Sequence, residues 1–296
     1  MDKALANELI YEVSIVVPIY NGEEYIAAKL ESLKGIQGVN YEVIIALNRS
    51  TDKSEELINC HSKNIKNLRV IKHSSYMQGG ENFQSGVQAA RGHFIFVSAV
   101  DDICDKNFYC EAVKILNEKE IVCAVSPMSR FDDKSHGNKP IGFELLGDAE
   151  DRVRTLFKNI RVSHGIFYSL IRRNVATALY QDFSKNYSFI GGDWLFDLKL
   201  ALEGEVVRAK SSECIFGVKG VSRERNYLSP VGARYFKTIF PYSNLVVNVI
   251  KLSKGQKLRV KVLLFKISLG LLWGSLHRYM FSTLYNHNLM SMIKKE

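Results

Sequence analysis

HFIFVSAVDD, residues 93–102, runs from an unbroken apolar stretch straight into two adjacent carboxylates. An apolar run of this length, with no alternation, reads as a strand buried on both faces, as in a parallel sheet. Asp101 and Asp102 then fall just past its C-terminal end, where open α/β sheets bind their ligands. Paired carboxylates there suit a hard divalent cation, and such a cation commonly serves phosphate groups. An acidic surface turn would look the same in isolation, so the neighbouring segments have to decide.

Those segments repeat one pattern. Residues 13–18, Tyr41–Leu47 and Leu68–Lys72 read as further strands, each followed by a helix, over 22–33, 52–61 and 80–91. A helix over 105–117 and a strand over 121–126 continue it. Alternating strands and helices imply a parallel sheet covered on both faces. Asn21 with Glu24, and Asp52 with Glu55, have the spacing of helix-capping boxes. Beyond a polar stretch over 127–147, the pattern predicts a helix over Ala149–Lys158, a strand over 165–171, a helix over 192–204 and a strand over 206–216. From Val231 onward the chain reads as two helices with a break near 253–255.

The 296 residues allow one large or two modest domains, and the net charge is +9. That charge is uneven. Residues 1–205 carry 24 Lys/Arg against 28 Asp/Glu, and residues 206–296 carry 16 against 3, with no acid between Tyr227 and Lys295. A basic end of this kind calls for an anionic partner or for a packed helical bundle with a large solvated face. No nucleic-acid motif accompanies it. Lys254, Lys257 and Lys261 lie on one side of the last helix and Val260, Leu263, Leu264, Ile267 and Leu271 on the other, so an anionic membrane surface fits better. The longest uncharged apolar piece, ISLGLLWGSLH between Lys266 and Arg278, is well short of the roughly 18–20 residues of a spanning helix. The first residues, MDKALANELIYEV, lack the pattern of a signal peptide. The five scattered cysteines include no CxxC pair, so reduced thiols in a cytosolic protein are expected rather than a zinc site or disulfide frame.

The end of the first strand lacks G-x-G-x-x-G, which argues against a nicotinamide or flavin dinucleotide. It holds Pro18, Tyr20 and Asn21 instead: a ring able to stack on a base, and an amide able to cap a helix or touch a ribose. The second strand ends at Asn48, whose side chain offers one acceptor and two donors. Ser50, Thr51 and Asp52 beside it read as helix-capping residues.

Taken in order, VSIVVPIYN (13–21), EVIIALNRSTDKS (42–54) and GGENFQSGVQAARGHFIFVSAVDD (79–102) resemble glycosyltransferase family two, the inverting enzymes of GT-A fold. The resemblance implies a GT-A-like, Rossmann-type, mostly parallel α/β sheet flanked by helices over residues 1–220. A basic amphipathic helical region over 221–296 would follow it. The family's usual D-D-G-S-T-D is here Leu47-Asn48-Arg49-Ser50-Thr51-Asp52, which places its base-reading position on Asn48, with UDP the first choice of nucleotide. Its metal motif falls on Asp101 and Asp102, with Ala99 in place of a first Asp, and implies that one of the two binds Mn²⁺ or Mg²⁺ bridging the diphosphate while the other holds ribose or a metal-bound water. Asn82 matches a position near the nucleotide.

YSFIGGDWLFDLKLALEG (187–204) resembles the family segment whose last acid is the general base. That acid is Asp193, with Gly192 where many members carry Glu; Asp197, one turn on, reads as helix surface. His164 resembles a position near the donor sugar, and Trp194 is a candidate for stacking on a sugar face. Lys219 and Arg223 lie in a basic loop that could clamp the diphosphate. The activity implied is metal-dependent, inverting transfer from a nucleotide-sugar to a hydroxyl of a glycan. The basic tail suggests a lipid-linked glycan at the inner face of the cell membrane, as in surface polysaccharide synthesis. Leu47, Ala99 and Gly192 each replace a common family acid, so a non-catalytic relative that binds a nucleotide-sugar or glycan is the alternative.

Overall fold

The computed structural model describes residues 10–131, 141–186, 191–217, 240 and 242–293. By internal contacts the chain divides into two units, Met1–Tyr187 with Phe196–Glu224, and Ser188–Leu195 with Arg225–Glu296.

In the first unit the elements run β1 (Tyr11–Ile19), α1 (Ile26–Ser32), β2 (Tyr41–Leu47), α2 (Ser54–His61), β3 (Leu68–Lys72), α3 (Gly79–Ala89), β4 (Gly92–Val97), β5 (Ile103–Cys104), α4 (Asn107–Glu118) and β6 (Val122–Phe131). They continue with α5 (Ala149–Lys158), α6 (His164–Phe167), β7 (Leu170–Arg172) and α7 (Arg173–Asn186). Helix α8 (Gly192–Glu203), from Phe196 onward, and strand β8 (Glu205–Phe216) complete the set. The sheet order is β3-β2-β1-β4-β7-β6-β8-β5. Strands β3, β2, β1 and β4 are parallel. The other half is mixed: β7 is antiparallel to both β4 and β6, β6 and β8 are parallel, and β5 is antiparallel to β8.

The parallel half is buried on both faces for the reason the sequence suggests. Val13, Ile15, Val16 and Val17 of β1 and Val43, Ile44 and Ile45 of β2 are all inaccessible to solvent. Such strands have no polar face to turn outward, so helices must cover them. Register aligns Ile19 with Leu47 and Val16 with Val97, so β1, β2 and β4 end together at one sheet edge.

Several expectations need correction. Asn21 does not cap the first helix: it adopts a left-handed backbone (φ 50°) and α1 begins later, at Ile26. Glu55 pairs with Lys72 instead of closing a capping box. Residues 165–171 are not one strand, because α6 occupies His164–Phe167 and only Leu170–Arg172 joins the sheet. Helix α7 went unpredicted, although Val175, Leu179 and Phe183 have helical spacing. It packs against α3, where Phe83 stacks on Tyr180 with centroids 6.2 Å apart and meets Phe183 edge-on. Asp197 is buried, not surface, and accepts a 2.6 Å hydrogen bond from Ser163 Oγ. Cys104 and Cys214 are not reduced thiols. They stand directly opposite each other on β5 and β8, with Cα atoms 4.0 Å apart, and are joined by a disulfide.

In the second unit, α9 (Ser243–Ser253) and α10 (Leu258–Ile293) follow the predicted break, and they pack against each other. Gly191 has a left-handed backbone (φ 86°), and a Cβ there would sit 2.9 Å from Leu245 Cδ2. Only glycine meets both conditions without strain. Among the described residues no helix is long and apolar enough to cross a membrane.

Candidate active site

The shared edge of β1, β2 and β4 collects most of the residues singled out from sequence. Two loops there are laced together. Asn21 Oδ1 accepts from Thr51 N at 2.8 Å, and the Asn21 N–H donates to Ser50 Oγ at 3.1 Å. Gly22 N donates to Ser54 Oγ, Glu23 N to Asp52 Oδ2, and Lys53 N to Glu23 Oε2. The polar run Asn48–Ser54 therefore serves mainly to brace the loop after β1. Asp52 retains one local capping bond, accepting from Ser54 N at 3.0 Å.

Asn48 is buried, and its amide is committed to the backbone of Met77. Its Nδ2 donates to Met77 O at 2.8 Å, and its Oδ1 accepts from Met77 N at 2.9 Å and Arg49 N at 3.0 Å. The group expected to read a base edge is here used to fix the loop that leads into α3. Asn82 lies within α3, also buried. Its Nδ2 donates to Ala46 O, while its Oδ1 has no hydrogen-bond partner. Pro18 is half-buried in β1. Tyr20 is 42% exposed and meets Tyr76, 56% exposed, edge-to-face at 5.3 Å. Two open rings at the sheet edge offer a planar ligand a place to stack.

Asp101 and Asp102 follow β4 directly. Asp101 is half-buried, whereas Asp102 is 3% exposed. Asp102 Oδ1 accepts from Gly217 N at 3.0 Å, and its Oδ2 is buried without a hydrogen-bond partner. Behind the pair lies Lys29 of α1, itself buried. Its ammonium donates to Ser98 Oγ at 2.5 Å and to the Asp102 carbonyl at 2.6 Å. Burial pushes the Asp102 carboxyl up to about 7, against the pull of Lys29 and with a further push from Asp101. Burial likewise lowers Lys29 to about 8, against the attraction of Asp102 and Asp101.

These residues fit a divalent cation. They present hard oxygen donors, and one buried carboxylate oxygen lacks a partner. Among the described residues no cluster of three or more His, Cys, Asp or Glu could hold a metal. Mg²⁺-like ions need fewer, since they are commonly held by one or two carboxylates together with ligand phosphates.

The remaining candidates stand on α6, α8 and the segment after β8. His164 opens α6, exposed, with its ring edge-on to Phe216 at 4.7 Å and to Tyr168 at 4.9 Å. Asp193 and Trp194 stand in the first turn of α8, in the part of that helix that groups with the second unit. Trp194 stacks on Tyr242 with centroids 5.2 Å apart, so one indole face is already covered. The Asp193 side chain reaches solvent although protein atoms crowd around it. That partial desolvation raises its carboxyl above the ordinary range, against backbone hydrogen bonds from Trp194 and its own N–H. Lys219 and Arg223 lie outside the described residues.

Sequence reasoning missed Lys29, Tyr76 and Gly217. Lys29 left a signal, because it interrupts the buried stripe Ile26, Leu30, Leu33 at helical spacing. Gly217 left none, since only the approach of β8 to the β4 end gives it meaning. A Cβ at Gly217 would fall on the Asp101 carboxylate and lie 2.6 Å from Asp101 Cβ. Gly217→Ala is therefore expected to push Asp101 aside and weaken Mn²⁺ binding about 10–100-fold, the usual cost of disturbing the support of a metal ligand. Titration followed by Mn²⁺ electron paramagnetic resonance checks this, and unchanged affinity would remove Gly217 from the site.

Comparison with known proteins identifies the family and the fold. Residues 14–179 match glycosyl transferase family 2. The poly(ribitol-phosphate) beta-glucosyltransferase of Bacillus spizizenii is 32% identical over 94 residues, 31% of this chain and 15% of that protein. The chain spans less than half the length of the curated relatives it matches. Among solved structures, Staphylococcus aureus TarS 1-349 in complex with UDP-GlcNAc superposes with a TM-score of 0.57 at 17% identity, covering 81% of this chain and 66% of that one. The mannosyltransferase PcManGT of Pyrobaculum calidifontis in complex with GDP-Man and Mn²⁺ gives 0.54 at 14% identity, covering 99% and 84%. At such identities the likeness is one of fold, the GT-A type. With more than half of its length matched to the family, and with that family's strand-end motifs meeting at one sheet edge, the chain belongs to glycosyl transferase family 2.

Proposed function

We propose that this protein transfers a sugar, with inversion, from a nucleotide diphosphate donor to a hydroxyl of a glycan. The observation that carries the reading is the Asp101–Asp102 pair beyond β4, braced from behind by Lys29 and from the side by Gly217. Asp101 and Asp102 would hold a divalent cation, which supplies charge neutralisation for the departing diphosphate. Tyr20 and Tyr76 offer the base a stacking surface, and Asn48 shapes the loop beside it. UDP is the first donor to test, supported by the neighbour that binds UDP-GlcNAc. GDP follows from the neighbour that binds GDP-Man.

The chemistry assigns one proton and one electron pair. Asp193 accepts the proton of the acceptor hydroxyl. The hydroxyl oxygen bonds to the anomeric carbon from the face opposite the donor phosphate. The bond from that carbon to the phosphate oxygen breaks, and its electrons leave on the diphosphate. Backside displacement inverts the anomeric centre. A carboxyl raised above its ordinary value, as partial desolvation by protein atoms raises Asp193, is a stronger base once ionised.

The acceptor we favour is lipid-linked and presented at the inner face of a cell membrane, in the synthesis of a surface polysaccharide. A relative named for glucosylating poly(ribitol-phosphate) supports a polymeric acceptor, and the basic C-terminal helices support the membrane. A second reading, binding without turnover, draws on Leu47, Ala99 and Gly192, each of which stands where an acid is common in the family.

Incubation with UDP-, GDP-, dTDP- and CMP-sugars, with Mn²⁺ and then with EDTA, separates the two. The enzyme is expected to release nucleotide with Mn²⁺ and to lose that activity in EDTA. Donor binding with no release on any acceptor would instead establish the binding module.

A further inference from the structure

The structure exposes on α10 an apolar stripe that the sequence pattern did not single out. The apolar residues expected to face a membrane turn inward: Val260 and Leu264 are 4% and 0% exposed, and Leu263, Ile267 and Leu271 are half-buried. Ser268 and Ser275 are buried on the same side. A packed helix normally turns charge outward on its other face. Here the outward face carries Leu258, Val262, Phe265, Leu269 and Trp273, which are 46–74% exposed. Their spacings of four, three, four and four residues keep all five in one narrow line along the helix.

Cations border that line on both sides. At about 100° of rotation per residue, Lys257 and Lys261 fall on one flank and Arg259 and Lys266 on the other. All four are exposed. Soluble proteins rarely leave so continuous an apolar row without a partner. A second copy of this chain is a poor partner, because pairing the stripe with itself would bring like charges face to face. An anionic bilayer satisfies every feature. The apolar row enters the acyl boundary, the flanking Lys and Arg side chains reach phosphates on either side, and Trp273 takes the interfacial position indole favours.

We infer that this outward face of α10 docks the protein in the plane of an anionic membrane, through Val262, Phe265, Leu269 and Trp273. The inference deepens the reading of a membrane-held acceptor and rests on it for its biological purpose. Docking itself is measured without any sugar transfer.

The chain has two tryptophans, Trp194 and Trp273. Trp194→Phe in the full chain therefore isolates the fluorescence of Trp273. Its emission is expected to shift to shorter wavelength with phosphatidylglycerol-containing vesicles but not with pure phosphatidylcholine. Co-sedimentation with the anionic vesicles should weaken as salt shortens the Debye length. Phe265→Ser with Leu269→Ser should bring sedimentation to background with the circular dichroism unchanged, because both side chains are already exposed. Lys261→Gln and Lys266→Gln should each lower partitioning about fivefold.

Asp193→Asn should bind vesicles as the parent chain does. Full transfer to a soluble acceptor with no vesicle binding would overturn this inference alone, and vesicle binding without transfer would overturn only the enzyme reading. Equal binding to both vesicle types, or an oligomer that the Phe265→Ser change dissociates in the absence of lipid, would also defeat it.

Discussion

Asp193→Asn is expected to lower turnover about 10²–10⁴-fold, the usual contribution of a positioned general base, while donor affinity stays unchanged. The amide keeps the shape of the side chain but accepts no proton at neutral pH. The pH profile gives a second, independent reading. Partial desolvation by the protein atoms around it raises the Asp193 carboxyl above its ordinary value of 3.8. A raised pKa means the group holds its proton to higher pH and becomes a base only above that point. The acid limb of kcat/KM should therefore lie above the range of an ordinary carboxylate and disappear in the Asn variant. Stopped assays of nucleotide release across pH, on both proteins, measure the two effects together. An Asn variant with parental turnover would end the role given to Asp193.

Lys29→Met is expected to destabilise the metal-free protein by about 3–5 kcal/mol at pH 8, the cost of stripping one partner from a buried charge pair. The sign follows from linkage. Asp102 has its folded pKa raised from 3.8 to about 7, so its contribution to stability is complete below the lower value and is lost as pH rises through the upper one. Lys29 has its folded pKa lowered from 10.5 to about 8, so the stability it costs the fold is recovered as pH rises from 8 towards 10.5. At pH 8 the Met variant leaves Asp102 buried beside Asp101 with no cation, so the carboxyl must either hold an unpaired charge or take up a proton that the parent does not hold. At pH 5 Asp102 is protonated, and the parent carries a buried ammonium whose nearest partner is neutral. The loss should therefore shrink markedly at pH 5. Urea unfolding in EDTA at both pH values checks it, and a loss independent of pH would mean that Lys29 acts by packing alone.

Much of this protein can be read directly from its order of residues. Strands Tyr41–Leu47 and Leu68–Lys72 and helix Ala149–Lys158 have the predicted boundaries. Hydrophobic periodicity is a local property, and a strand buried on both faces leaves a long apolar run whatever surrounds it. Asp101 and Asp102 were legible for the same reason, since their place after such a run is itself a local fact. The short strand Leu170–Arg172 was not, because a three-residue strand at a sheet's turning point has too little pattern to separate it from the helix before it.

Chain contacts far apart in sequence settled the rest. Asn21 and Asn48 looked like a helix cap and a base reader, yet Thr51 and Met77 claim their amides, and a side chain has only so many hydrogen bonds to offer. Lys29 and Gly217 gained their roles from a partner loop 73 and 115 residues away in sequence. The tail shows the same division. Its basic composition is plain from the linear order alone, but which of its two apolar faces stays exposed depends on which one the fold covers.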